Sequence, residues 1–134
     1  MRAIIVKFQA EGIHCFPEAP NEVAYLRQPH RHMFHFEVTL EVFHNDREIE
    51  FILLKNELQW EMKQYLNTQR RLWEHPRQGE ESVLPRFSCE DLAEYLAKYI
   101  NRMYPAKFPN GKRRKRAGAI EVYEDDENGA VLSL

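Results

Sequence analysis

Two histidines separated by one residue stand at the start of the most regular strand pattern in the chain. His30 and His32 precede an alternation of apolar residues, namely Phe34, Phe36, Val38, Leu40 and Val42. Successive side chains on a strand point to opposite faces, so the two histidines share a face and lie about 6.6 Å apart along the backbone. Both rings can therefore reach one zinc ion, which binds imidazole nitrogen at about 2.0–2.1 Å. The pair predicts half of a metal site.

A complete site needs a third ligand, for which the chain offers His14, His44 and His75. His14 lies near the end of the first predicted strand and becomes the natural partner if the two strands pair. His44 falls at the far end of its own strand, and His75 lies in a polar segment. Because paired histidines also occur on strands that bind nothing, the sequence alone leaves the metal site a hypothesis.

The composition predicts one soluble globular domain over residues 1–134. Charged residues make up 30% of the chain and hydrophobic residues 43%, and the net charge of −2 gives no basic field for nucleic acid. The early apolar run at residues 3–6 is too short for a signal peptide or a membrane span. Two cysteines, Cys15 and Cys89, form no disulfide framework and suit a reducing compartment. We therefore expect a cytoplasmic protein without a membrane partner.

Strands are predicted at both ends of the chain and helices between them. Alternating apolar residues predict strands over residues 3–10, 33–44, 119–124 and 130–134, with the last turn at Glu127–Gly129. Apolar residues at steps of three and four predict helices over residues 53–67 and from a Ser88 cap to Tyr104. The segments 11–29 and 68–86 are predicted loops. The order β-β-α-α-β-β indicates an α+β fold with the helices on one sheet face.

A basic run covers residues 112–116. It permits a phosphate or nucleic-acid patch. No aromatic residue interleaves the charges and the rest of the chain is acidic, so we expect a solvated loop and no nucleic-acid partner.

Four short motifs together resemble the 6-pyruvoyl-tetrahydropterin synthase and 6-carboxy-tetrahydropterin synthase family over nearly the whole chain. They are Phe8-Gln9-Ala10 leading to His14, His30-Arg31-His32, Ser88-Cys89-Glu90-Asp91-Leu92, and Val122-Tyr123-Glu124 followed by Asp125. The resemblance implies the tunnelling fold, an antiparallel four-stranded sheet with two helices on one face. It also implies subunits that close their sheets into a barrel, usually as trimers stacked into hexamers.

The resemblance assigns roles to individual residues. His14, His30 and His32 would hold Zn²⁺ and leave a position free for a substrate oxygen. Glu124 would accept hydrogen bonds from adjacent N–H groups of a pterin- or purine-like ring, and Ser88 and Cys89 would flank the same pocket. The alternative to this binding role is that Glu124 is simply an exposed acid within the acidic cluster 121–127.

Two family features are absent, and no catalytic residue is assigned. The stretch before the histidine pair, residues 23–29, contains no thiol, and Asn67-Thr68 occupies the place of an aspartate–histidine pair. Three interpretations follow. The chain is a divergent protein that binds zinc and a heterocycle, an active lyase using Cys89, His35 or His75 instead, or a metal-free structural or regulatory oligomer.

Overall fold

The computed structural model describes residues 1–134 and begins with two long antiparallel strands. Strand β1 spans Ala3–His14 and β2 spans His30–Glu41, and they pair along their whole length. Even-numbered side chains of both strands face the core. The buried apolar side chains among them are Val6, Phe8, Ala10, Phe34, Phe36, Val38 and Leu40. The apolar residues of the predicted alternation thus form the core-facing side of the β1–β2 pair.

Strand β1 runs four residues beyond its predicted end and includes Gly12 and His14. Gly12 indicated a loop, but it stands opposite His32 inside the ladder. A Cβ atom at Gly12 would lie 2.8 Å from Cδ2 of Leu66, a residue of the helix covering the strand. The glycine therefore marks close packing within a strand rather than a break. The rest of the predicted loop contains a short 3₁₀ helix, Asn21–Arg27.

Two helices cover one face of the sheet. Helix α1 spans Phe51–Glu74, seven residues past its predicted end, and buries Leu54, Leu58, Met62 and Leu66. Helix α2 spans Cys89–Met103 and begins at the predicted cap. Ser88 Oγ accepts from the Asp91 N–H at 3.1 Å, and the Asp91 carboxylate accepts from the Ser88 N–H at 2.9 Å. This reciprocal pair fixes the start of α2 beside the histidine end of the sheet.

The remaining strands complete the sheet. A two-stranded ribbon joins β3, Ala106–Lys107, to β4, Arg113–Arg114, and is followed by β5, Gly118–Glu124, and β6, Asn128–Ser133. The four long strands are ordered β1-β2-β5-β6, all antiparallel. The predicted α+β class and order are confirmed, with the ribbon as an addition. The predicted turn at Glu127–Gly129 is wrong, because residues 125–127 form it and Asn128 and Gly129 already pair with β5.

The basic run is less solvated than predicted. Arg116 is buried and forms an ion pair with Glu48 at 2.8 Å, and Arg114 pairs with Glu41 at 2.9 Å. Both arginines attach the ribbon to the end of β2 opposite His30. The expectation of a solvated loop is wrong for Arg116, whereas the Arg114 side chain stays exposed beside Glu41. None of the helices is both long enough and apolar enough to cross a membrane.

Candidate metal centre and adjoining cleft

Strand register brings three histidines together on the inward face of the sheet. His14 pairs directly with His30, and His32 lies two residues further along the same face. The ring centroids are 4.6 Å apart for His14 and His30, 5.2 Å for His14 and His32, and 4.9 Å for His30 and His32. One nitrogen from each ring lies within 4.8 Å of the others. The three predicted ligands therefore form one cluster.

Each of these imidazoles is oriented by a hydrogen bond at Nδ1. The acceptors are Phe87 O for His14 and Gln28 O for His30, both at 2.9 Å, and Asp125 Oδ2 for His32 at 2.5 Å. Carbonyl and carboxylate oxygens only accept, so in every case Nδ1 carries the hydrogen. All three Nε2 atoms are buried and lack a hydrogen-bond partner. The three Nε2 lone pairs therefore converge, and none of them accepts a hydrogen bond. A metal cation requires this arrangement.

The protonation states of His14 and Asp125 also favour metal binding. Burial lowers the pKa of His14 below its ordinary value of 6.5, which keeps the ring neutral at neutral pH. The hydrogen bond from His32 lowers the pKa of Asp125, which therefore remains a carboxylate. Asp125 has a φ of +51°, a conformation that aspartate tolerates, and its Oδ1 accepts from the Met33 N–H at 2.9 Å. The turn after β5 is thus locked against the start of β2.

Glu124 lies at the border of the histidine cluster. It pairs with Phe34 across the sheet, so its side chain faces inward rather than joining the exposed acids of the turn. Its Oε1 is 3.3 Å from His14 Nε2, its Oε2 is 3.5 Å from His32 Nε2, and the Cys89 Sγ is 3.9 Å from Oε1. The position of Glu124 therefore does not fit the alternative that it is one more exposed acid of the cluster 121–127.

A cleft of about 400 Å³ opens beside the cluster, within the size range of small-molecule sites. Its lining includes Phe16, Leu26, Arg86, Ser88, Cys89 and Glu124. The cleft thus combines apolar walls with a carboxylate and the capped start of α2.

Comparison with known families agrees with this architecture. The sequence model of the 6-pyruvoyl tetrahydropterin synthase family matches residues 3–133. The chain belongs to this family. No curated protein matches it. Since the match spans the sheet and both helices, the α+β tunnelling fold and the resemblance are confirmed.

The remaining candidate residues of this family member lie elsewhere. His44 follows the far end of β2, His75 caps the exposed end of α1, and His35 points to the opposite sheet face from His30 and His32. Asn67 and Thr68 are exposed on α1. None of these side chains joins the histidine cluster or lines the cleft.

Cys89 does reach the cleft, but its environment suppresses its reactivity. Burial raises the pKa of the thiol to about 12, and the neighbouring Glu124 charge adds to this effect. The thiol is therefore protonated at neutral pH and is a weak nucleophile and a weak base.

The groups that orient the histidines were not predicted from the sequence. Phe87 and Gln28 act through backbone carbonyls, which leave no trace in residue identity. Asp125 was visible only as the acid after Glu124, and its role depends on the unusual backbone conformation of the turn.

Proposed function

We propose that this chain binds a zinc ion through His14, His30 and His32 and holds a pterin- or purine-like ring in the adjoining cleft. The observation that carries the proposal is the convergence of three buried, unpartnered Nε2 atoms whose tautomers are fixed by bonds at Nδ1. Neutral imidazoles of this kind suit zinc. A zinc ion held there would act as a Lewis acid toward an oxygen atom of the ligand.

Glu124 is the proposed anchor for the ring. A carboxylate that accepts from two adjacent N–H groups makes a strong and directional contact, and the amino-pyrimidinone edge of pterins and guanine offers such a pair. Leu26 and Phe16 supply apolar surface for the ring faces, while Ser88 and Cys89 form the wall at the start of α2.

We further propose that the protein binds this ring without eliminating triphosphate. Leu26 lines the cleft from the segment in which the resemblance expects a thiol, and Asn67 and Thr68 are exposed on α1. The lyase alternative would need Cys89, His35 or His75. The raised pKa of Cys89 argues against that residue, and the positions of the two histidines argue against them.

The assembly that we propose is a cyclic homo-oligomer, a trimer or a hexamer. Strands β1 and β6 are the two edges of the sheet. Unpaired edges favour association unless something covers them, and pairing β1 of one copy with β6 of the next would close a ring.

Calorimetric titration with neopterin and guanine, combined with a turnover assay on dihydroneopterin triphosphate, tests the proposal. Glu124→Gln replaces one acceptor with a donor, and losing a charged hydrogen bond costs about 1.5–3 kcal/mol, or about ten- to a hundredfold in affinity. Glu121→Gln is the matched control, because Glu121 lies on the same strand but on the outward face, bonded to Tyr123. Unchanged affinity in Glu124→Gln would contradict the ring site, and robust turnover would contradict the absence of catalysis.

A further inference from the structure

The contacts between Glu124 and the histidines bring together atoms that are all hydrogen-bond acceptors. His14 and His32 carry their hydrogens on Nδ1, so each Nε2 presents a lone pair. Those lone pairs face the two carboxylate oxygens of Glu124 at 3.3 and 3.5 Å. A carboxylate oxygen only accepts, so neither contact is a hydrogen bond. A cation between the three side chains turns both contacts into attraction.

The spacing fits a shared ion. Two donors bound to one tetrahedral zinc at about 2.0–2.1 Å lie about 3.4 Å apart. Both separations between Glu124 and the histidines are close to that value. Glu124 is also held at the mouth of the cluster by strand pairing, and the Cys89 thiol lies 3.9 Å from its Oε1.

We propose that Glu124 is a fourth metal ligand while the cleft is empty, and that it leaves the metal when a ring enters. The inference rests on the proposed zinc and ring sites. The same two oxygens that face the histidines are those that would accept from the ring. A carboxylate committed to two N–H groups is a poorer metal ligand, because its lone pairs and its charge are shared. Glu124 thus makes metal binding and ring binding compete.

The first test measures zinc affinity with no ring present, by competition with a chromophoric chelator. Glu124→Gln is expected to weaken zinc binding about tenfold or more, whereas Glu121→Gln should bind zinc like the unmodified protein. Equal zinc affinity in all three proteins would overturn the fourth-ligand assignment, whatever the fate of the ring site.

The second test adds pterin, which has the ring edge but no side chain to reach the metal. Saturating pterin should weaken zinc binding in the unmodified protein, and zinc should weaken pterin binding by the same factor. This coupling should disappear in Glu124→Gln. Pterin that binds without changing zinc affinity would overturn the exchange. Pterin that does not bind at all would overturn both the ring site and the exchange, while the first test still decides the fourth ligand.

A third measurement needs no substitution. Cobalt(II) in place of zinc reports its ligand set through visible absorption, so adding pterin to the cobalt-loaded protein should change the spectrum. An unchanged spectrum with pterin bound, shown by calorimetry on the same sample, would contradict the departure of Glu124.

Discussion

The Nδ1 atom of His32 lies 2.5 Å from a carboxylate oxygen of Asp125, directly behind the histidine cluster. Because the other oxygen of Asp125 is bonded to the Met33 N–H, the carboxylate is held in place by the strand whose histidine it orients. This contact turns Nε2 of His32 toward His14 and Glu124 and strengthens it as a metal ligand.

Asp125→Asn should weaken zinc binding about ten- to a hundredfold, the usual effect of removing a carboxylate behind a ligating histidine. Asparagine tolerates the φ of +51°, so the turn should survive. Asp126→Asn is the control, with a similar φ of +60° in the same turn. Zinc titration of both variants provides the comparison, and equal affinities would rule out this role for Asp125.

Gly12→Ala should destabilise the fold by about 1–3 kcal/mol through overpacking. The new methyl group would meet Leu66 Cδ2 at 2.8 Å and Phe34 Cε2 at 3.0 Å. Denaturant unfolding measures the cost, and the cost should shrink when Leu66→Ala first makes room. An unfolding midpoint equal to that of the unmodified protein would contradict the packing account of Gly12.

Both cysteines should resist alkylation in the folded protein. With a pKa of about 12, Cys89 would hold about one thiolate in 10,000 molecules at pH 8, against about one in four for a free thiol. Burial also raises the pKa of Cys15. We expect iodoacetamide labelling of Cys89 to be about a thousandfold slower than in denaturant, and labelling of Cys15 to be slowed as well, as measured by mass spectrometry. Rapid labelling of folded Cys89 would revive it as a catalytic candidate.

The protein should sediment as a stable oligomer at micromolar concentration, with the sheet edges at the contacts. Ile5 and Val131 are exposed apolar residues on the edge strands β1 and β6, and lysine at both positions should weaken association. Val83→Lys serves as the control, since Val83 is about as exposed as Ile5 but lies in the loop before α2. A stable monomer would contradict the proposed assembly.

The sequence predicted the fold wherever periodicity was strong. The alternation in β2 and the helical spacing in α2 each report one buried face, and Ser88 marked the start of α2 correctly. The predicted element boundaries were wrong where a residue type is compatible with two kinds of structure. Gly12 resembled a loop residue because sequence does not reveal that Leu66 packs against it. Helix α1 extends to Glu74 because the polar stretch 67–71, which interrupts the apolar spacing, does not end the helix.

Strand periodicity made part of the histidine cluster predictable. Spacing placed His30 and His32 on one face, but choosing His14 over His44 and His75 required either strand register or the family resemblance. The role of Arg116 was hidden, because its partly buried partner Glu48 lies 68 positions away in the chain. Register and long-range pairing are properties of the packed chain, which local patterns do not encode.

Zinc content of the purified protein and of two histidine variants tests the central claim most directly. We predict one zinc per chain, retained in His35→Ala, whose side chain faces away from the cluster, and mostly lost in His32→Ala with the fold intact by circular dichroism. A full zinc complement in folded His32→Ala, or no zinc bound by the unmodified protein at micromolar zinc, would contradict the account.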